Sequence, residues 1–222
     1  MWYKVNKRLI GTQQVRPSSR LPSAYQEVEY IQSNGTQYIN LWWSPTDNYF
    51  KVVSKATIYD SGNEWSVLFW MTNWSNSLSL HFRKANPYWN EWWYANIGSS
   101  GNIYSSISFV DWENVNINFT WNAWSYSLNL NGDTSIWTYS STVAQSTRPF
   151  YLFAFNENWN TTRKTHMKLY SFKLYSWVST LVRDLIPCYR KSDNVIGLYD
   201  LVNNQFYTNS WSWTFTKWPD VN

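Results

Sequence analysis

Residues 83–94 mix aromatic rings, amides and a guanidinium group, a combination that is suited to binding sugars. A flat aromatic ring covers the C–H face of a pyranose, while amide and guanidinium groups hydrogen-bond to its hydroxyl groups. The side chains that we predict to contact such a ligand are Arg83, Tyr88, Asn90 and Trp93, with Asn156 and Asn158 from a second polar loop. The alternative is a surface turn between two strands with buried aromatic residues at its ends, which is the more usual arrangement.

The acidic residues and histidines do not form the patterns that enzymes use. A glycoside hydrolase needs two carboxyl groups that flank the scissile bond. The closest pair, Asp111 and Glu113, lies in a predicted turn where the side chains need not converge. The two histidines, His81 and His166, are far apart in sequence and lack neighbouring acidic pairs, which argues against a zinc site or a Ser-His-Asp triad. We therefore predict that the chain is not an enzyme and has no catalytic residues.

Metal and thiol chemistry has little support in this sequence. Cys188 is the single cysteine, so the chain can form neither an internal disulfide nor a cysteine-based metal site. Calcium prefers oxygen ligands, often from loops, and the candidates in predicted turns are Asp60, Asp111 and Asp133. Aspartate also forms turns without any metal. We therefore expect no cofactor, with calcium as the one alternative.

The distribution of charge argues against nucleic acids and membranes as partners. The chain has 18 Lys and Arg residues against 14 Asp and Glu residues, and its basic residues are scattered rather than aligned in a stripe. Charges at Lys4, Lys7 and Arg8 interrupt the region where a signal peptide needs an apolar run. No later segment is apolar over the length that a transmembrane helix requires. We predict synthesis in the cytoplasm, no signal peptide and no membrane insertion.

Alternating apolar and polar residues predict that β-strands carry these groups. The alternation is clear over residues 115–119 and 126–130, and the second run ends at a turn signal over residues 131–133. Residues 151–155 are apolar throughout, which is typical of a central strand, and the alternation shifts at residues 169–170, which indicates a bulge. A dozen or more such short segments predict an all-β, antiparallel two-sheet sandwich.

A polar, proline-containing stretch over residues 14–20 divides the chain. Clusters of polar residues with proline are typical of linkers between structured segments. We therefore predict a short N-terminal β element with its linker over residues 1–20, and one sandwich domain over residues 21–222.

Tryptophan is unusually common and glycine unusually rare, with 18 Trp and 7 Gly where average usage would supply roughly 16 Gly. Several tryptophans occupy positions where a turn favours glycine: Trp74, Trp89, Trp112, Trp159, Trp211, Trp213 and Trp218. A left-handed backbone costs a residue with a Cβ atom about 1–2 kcal/mol. We hypothesise that several come from UGA codons that the source reads as glycine. The alternative is that all are genuine and some line a sugar-binding surface; Trp65, Trp93 and Trp124, in apolar strands, are predicted to be genuine in either case.

The two ends of the main domain carry strings with a family resemblance. Residues 21–39 (LPSAYQEVEYIQSNGTQYI), and the closing runs 181–191 (LVRDLIPCYRK), 196–200 (IGLYD) and 204–209 (NQFYTN), resemble those of concanavalin A-like, laminin G-like domains in phage and prophage tail proteins of gut bacteria. Residues 11–17 (GTQQVRP) are similar to a segment that precedes this domain in such virion proteins. The family pattern has glycine at five tryptophan positions, namely Trp42, Trp70, Trp211, Trp213 and Trp218.

The resemblance implies a jelly-roll sandwich that recognises a glycan or a cell-surface polysaccharide on the host envelope. It also implies a place in the virion, on the phage tail, with residues 1–20 attaching the domain to other tail proteins, after synthesis in the bacterial cytoplasm. Two alternatives stay open. The domain could be an assembly or decoration module of the virion without a ligand of its own, or it could be a bacterial surface adhesin.

Overall fold

The described part of the chain is built from β-strands. A computed structural model of the protein describes residues 20–45, 49–59, 65–73, 76–86, 90–98, 102–110, 112–122, 125–138, 148–157, 160–162, 164–177 and 179–221. All helices and strands found in these residues are strands, and their bounds are β1 Tyr25–Asn34, β2 Ile39–Asn40, β3 Tyr49–Ile58, β4 Trp65–Asn73, β5 Asn76–Asn86, β6 Asn90–Gly98, β7 Asn102–Val110, β8 Asn114–Asn122, β9 Ser125–Leu130, β10 Asp133–Thr138, β11 Tyr151–Leu152, β12 Phe155–Glu157, β13 Asn160–Thr162, β14 His166–Ser176, β15 Thr180–Arg190, β16 Ile196–Asp200, β17 Gln205–Thr208 and β18 Thr216–Asp220.

The strands form two main antiparallel sheets and a short hairpin. The large sheet has ten strands in the order β10-β9-β8-β3-β14-β1-β15-β16-β17, with β18 paired to β1. The small sheet has six strands in the order β2-β11-β4-β5-β6-β7, and β12 pairs with β13. In the described residues, no helix is long and apolar enough to cross a membrane.

Strand periodicity explains why the large sheet has one dry face. In β8 the side chains of Val115, Ile117 and Phe119 are buried, while Asn114, Asn116 and Asn118 between them are exposed. Successive side chains of a strand point to opposite faces, so the apolar set lies on one side. Burying each large apolar side chain contributes about 1.5–3 kcal/mol. The alternation in the sequence therefore predicts this strand correctly.

Phenylalanine rings join the two sheets across the core. Phe50 in the large sheet lies 6.0 Å from Phe69 in the small sheet, measured between ring centroids, and Phe69 lies 5.6 Å from Phe119. Phe150 stacks on Phe69 at 4.6 Å. All four rings are fully buried. The predicted all-β antiparallel sandwich is confirmed.

Two local predictions are confirmed and two are wrong. Asn131 and Gly132, with φ of 52° and 106°, turn the chain between β9 and β10, and the β14 register shifts between Leu169 and Ser171. The segment 151–155 is not one strand, because the chain bends at Phe153, where φ is 66°, and separates β11 from β12. Trp218 lies in β18 rather than in a turn, since this strand pairs with β1. The predicted N-terminal element over residues 1–19 lies outside the described residues.

Three tryptophans of the described residues have a left-handed backbone. The φ angles are 50° at Trp42, 71° at Trp112 and 51° at Trp177, and these side chains are 74%, 70% and 63% exposed. Left-handed backbone is rare for bulky residues. Trp112 was predicted at such a turn, and Trp42 was indicated by the family pattern, whereas Trp177 was not singled out. Trp211, Trp213 and Trp218 are exposed but do not have positive φ. Trp74, Trp89 and Trp159 lie outside the described residues.

Candidate functional site

Three of the predicted ligand-binding residues lie on one hairpin. Arg83 is in β5, and Asn90 and Trp93 are in β6. The antiparallel register places Arg83 opposite Tyr94 and Trp93 opposite Lys84, so Arg83 and Trp93 lie in two consecutive rows of the hairpin. Tyr88 and Asn158 lie outside the described residues. The hairpin remains a predicted site.

The sixth predicted residue, Asn156, is buried. It belongs to β12 and is 0% exposed, and its side-chain amide donates a hydrogen bond of 3.2 Å to the carbonyl of Pro149. The sequence had indicated a polar loop at this position. The Asn156 amide instead hydrogen-bonds to a backbone carbonyl group inside the fold, because buried polar groups need hydrogen-bond partners.

The structure displays a different set of polar side chains on the outer side of the large sheet. We define the polar face as the side chains of β3, β8 and β14 that alternate with the core residues, together with Asn129 from β9. Its register rows are set by the antiparallel pairing of β3 with both neighbours. The rows are Thr120-Lys51-Tyr175, Asn118-Val53-Lys173, Asn116-Lys55-Ser171 and Asn114-Thr57-Lys168.

A shallow depression lies in the middle of the polar face. Its volume is about 270 Å³, and its lining includes the side chains of Asn116, Asn118 and Asn129 beside Lys55 and Ser171. This volume lies just below the roughly 300–1,000 Å³ of pockets that enclose drug-sized ligands. Each amide offers donors and an acceptor at once, and each hydroxyl offers both as well. The depression can therefore exchange hydrogen bonds with a small polyhydroxylated group.

Lysine side chains lie along tyrosine rings on the same face. The Nζ atom of Lys55 is 5.0 Å from the centroid of the Tyr170 ring, and that of Lys51 is 5.6 Å from the Tyr175 ring. Distances below about 6 Å are in the range of cation–π attraction. The rings therefore hold these two ammonium groups close to the sheet.

Lys168 is held in the most defined position of these lysines. Its Nζ atom lies 4.4 Å from the centroid of the Tyr30 ring. Partial burial disfavours the charged form, but hydrogen bonds to the hydroxyl groups of Tyr59 and Tyr30 outweigh this effect and raise the pKa of Lys168. A raised lysine pKa keeps the group positive at neutral pH, so this end of the polar face is reliably cationic.

His166 marks the end of the polar face. Its Nε2 atom is 3.0 Å from the side-chain nitrogen of Gln32, and its ring lies 4.7 Å from that of Tyr59. Burial lowers the pKa of His166, so the imidazole is neutral at pH 7 and accepts a hydrogen bond from the Gln32 amide. His166 is thus part of the sheet, as the first residue of β14.

The described residues contain no assembled metal or nucleophile site. No group of three or more His, Cys, Asp or Glu side chains in them could hold a metal ion. Asp133, a calcium candidate, lies at an exposed turn, and Asp60 and Asp111 lie outside the described residues. Cys188 is fully buried, and burial raises the pKa of its thiol to about 12, so it is not a nucleophile at neutral pH. His81 is buried within β5.

Sequence reasoning missed the polar face as a site. The sequence alternation predicts that the asparagines of β8 lie on the solvent-exposed side of the strand. Their partners Lys51 and Lys55 are about 60 residues earlier in the chain, and nothing local reveals which strand lies beside which. Only the strand order of the large sheet brings the amides and lysines together.

Comparisons with known proteins bear on the fold. No protein-family model and no curated protein matches the chain. A solved structure of a putative carbohydrate binding protein from Bacteroides ovatus matches with a TM-score of 0.59 at 10% identity, over 88% of this chain and 62% of that one. A SAP-like pentraxin from Limulus polyphemus matches with a TM-score of 0.54 at 10% identity, over 70% of this chain and 79% of that one.

A third solved structure, domains LG4-5 of the mouse laminin alpha1 chain, matches with a TM-score of 0.49 at 10% identity. That match covers 67% of this chain and 41% of the laminin chain, so the chain spans less than two thirds of the laminin and Bacteroides proteins. Identities this low show the fold alone. The described residues have the antiparallel two-sheet, jelly-roll sandwich fold, which is concanavalin A-like.

Proposed function

We propose that the protein is a non-catalytic carbohydrate-recognition module that binds its ligand on the polar face. The observation that carries this proposal is the alignment of exposed amides, hydroxyls and lysines on three adjacent strands around one depression. The fold supports it, because one protein of the same architecture is described as a putative carbohydrate binding protein. The predicted hairpin residues Arg83 and Trp93 are the competing location for the site.

Rigid strands suit this role because the side chains are already in place before the ligand arrives. Asn116 and Asn118 are two residues apart in β8, so both amides project from the same side of the sheet. Groups fixed on paired strands lose less conformational freedom on binding than groups on loops, which favours affinity.

Binding to a panel of immobilised polysaccharides tests the proposal. We expect the N116A/N118A double variant to bind its best ligand at least ten-fold more weakly than the wild-type protein. Asn204→Gly is the matched control, because it removes an exposed amide at a turn whose φ of 53° suits glycine. Unchanged binding by N116A/N118A, with loss of binding by R83A, would instead place the site on the β5–β6 hairpin.

We further propose that the domain is displayed on a phage or prophage tail and meets glycans of the host envelope. The support is the resemblance of residues 21–39 and 181–209 to tail-protein domains, and of residues 11–17 to the segment before them. In this proposal residues 1–20 attach the domain to other tail proteins, and synthesis takes place in the bacterial cytoplasm. Tail-fibre, holin or endolysin genes beside this gene are the expected observation.

An assembly or decoration role without a ligand is the second candidate for the same context. It predicts a stable complex with another tail protein and no binding to any polysaccharide. A bacterial surface adhesin, the third candidate, predicts that the protein is found on cells without virions. Immunogold labelling of induced cultures separates labelled particles from labelled cell surfaces.

We also propose that Trp42, Trp112 and Trp177 are encoded by UGA and are glycine in the protein that the source makes. Their left-handed backbone and their exposure support this, because glycine adopts positive φ without a steric penalty. Trp121 differs, since it is fully buried against Phe50 at a centroid distance of 5.4 Å. Codons and peptide masses of the native protein test the proposal, and UGG at all three positions would contradict it.

A further inference from the structure

We infer that the polar face selects acidic polysaccharides over neutral ones. This inference rests on the proposed function and adds the chemical class of the ligand. The three central strands of the large sheet, β3, β8 and β14, contain four lysines and no aspartate or glutamate. A surface with this composition attracts an anionic chain and gives a neutral chain no net electrostatic attraction, so the prediction concerns selectivity.

Three of these four lysines have no carboxylate partner among the described residues. Lys173 pairs with Asp184, whose carboxylate oxygen is 3.1 Å from its Nζ atom. For Lys51, Lys55 and Lys168, no carboxylate of the described residues lies within ion-pair distance. No described carboxylate therefore neutralises these three charges, although Lys168 also makes hydrogen bonds to Tyr59 and Tyr30.

The register places the four lysines in a row. Lys51 and Lys55 are on β3, while Lys173 lies opposite Val53 and Lys168 lies opposite Thr57. Every second position along β3 therefore has a lysine, which belongs alternately to β3 itself and to the opposite position of β14. With a rise of about 3.3 Å per residue, successive lysine positions are offset by about 7 Å along the strand direction, and the row extends over about 20 Å in that direction. A row of this length matches a polymer with regularly repeated acidic groups better than a single small anion.

The neighbouring groups favour a polysaccharide over a nucleic acid. The amides of Asn116 and Asn118 lie beside Lys55 and can hydrogen-bond to sugar hydroxyls between the acidic groups. Single-stranded nucleic acids bind through bases stacked on open aromatic rings. On the polar face the rings of Tyr170 and Tyr175 are approached by Lys55 and Lys51, so their faces are less open to a base.

The test measures affinity for sodium polygalacturonate and for dextran, a neutral polymer, at several salt concentrations. The variant is K51Q/K55Q, and the control is K191Q/K217Q, which removes the same charge from exposed or half-exposed sites elsewhere. We expect the wild-type and control proteins to prefer polygalacturonate at least ten-fold. We expect K51Q/K55Q to lose most of this preference and most of its salt dependence, because screening acts on these charges.

The possible failures are distinguishable. Equal binding of both polymers by the wild-type protein, lost in N116A/N118A, would overturn the acidic selectivity and leave the proposed function intact. Binding of polygalacturonate that is equally strong in K51Q/K55Q would also overturn it. Binding of neither polymer, nor of any polysaccharide in the panel, would overturn both proposals. Tighter binding of a single-stranded oligonucleotide than of polygalacturonate would assign the lysine row to nucleic acid instead. Thermal unfolding of each variant checks that the fold is retained.

Discussion

The side-chain carboxylate of Asp200 lies 3.5 Å from the Nε atom of Arg183, in the interior of the large sheet. Asp200 is fully buried and also accepts hydrogen bonds from the backbone N–H groups of Asp184 at 3.1 Å and Val202 at 3.0 Å. The Asn203 amide donates to its second oxygen at 2.7 Å. One carboxylate thus ties β15 to the turn after β16.

Replacing Asp200 is expected to destabilise the domain strongly. D200A removes one member of a buried ion pair and leaves several donors unsatisfied, which typically costs about 3–5 kcal/mol. The free energy of unfolding from denaturant titration measures the loss. Asp193→Ala is the control, because its ion pair with Arg190 is exposed on both sides and should matter much less. Equal unfolding midpoints for D200A and the wild-type protein would contradict this role.

Gly197 has no room for a side chain. A Cβ atom built there would collide with the backbone carbonyl of Tyr207 and lie 2.9 Å from the Phe206 ring. We expect G197A to lower stability by about 1–3 kcal/mol, since β16 and β17 would have to move apart. Gly132→Ala is the matched comparison, because it has positive φ but no atom within 4 Å of the new Cβ. A smaller effect for G197A than for G132A would show that the strands adjust easily.

Substituting glycine at the left-handed tryptophans is expected to stabilise the protein. Each substitution relieves about 1–2 kcal/mol of backbone strain, and the greater freedom of glycine in the unfolded chain offsets about 0.5–1 kcal/mol of this. Loss of the contact between Trp112 and Tyr59, at 4.3 Å, reduces the gain. We expect the free energy of unfolding of W42G/W112G/W177G to exceed that of the wild-type protein by about 1 kcal/mol. Denaturant titration measures this difference.

The buried Trp121 provides the contrast for that experiment. It fills the core, so W121G should lose about 3–5 kcal/mol. If the triple glycine variant were as destabilised as W121G, the left-handed tryptophans would be structural residues and the proposed recoding at these positions would lose its physical support.

His166 should make stability depend on pH. Its pKa is lowered by burial, below the value of 6.5 expected in the unfolded chain, so the unfolded state binds more protons between the two values. The contribution of His166 is therefore complete above about pH 6.5 and is lost as the pH falls through its folded-state pKa. We expect the wild-type protein to lose more stability than His166→Gln between pH 7 and pH 5. Parallel pH profiles for the two proteins would contradict this expectation.

Local patterns in the sequence predicted the sandwich but not its candidate site. The alternation at Val115, Ile117 and Phe119 predicts which side of the strand is buried. Such a prediction is valid wherever one face of a sheet packs on the core. It does not report which strand lies beside it. The pairing of Lys55 with Asn116 depends on long-range register, and the bend at Phe153 depends on its backbone N–H bonding to the Leu68 carbonyl at 3.2 Å.

The family strings at the two ends of the domain have a structural explanation. Gln37 accepts hydrogen bonds from Ser33 Oγ at 3.0 Å and from the Asn34 N–H at 2.9 Å, and it donates to the Thr214 carbonyl at 2.7 Å. Asn209 in turn accepts from the Tyr38 N–H at 2.9 Å. The Tyr38–Asn209 hydrogen bond joins the opening string to the last closing string, so these residues have a role in the fold.

The pairing of β1 with β18 sets the order of events during translation. Val28 lies opposite Asp220, so β1 completes its pairing only after β18 has been synthesised. Its other partners in the large sheet, β14 and β15, also come much later in the chain than β1, and contacts between distant segments form slowly. Nascent chains of this protein should therefore be prone to aggregation, and chaperones that shield unpaired strand edges should raise its soluble yield.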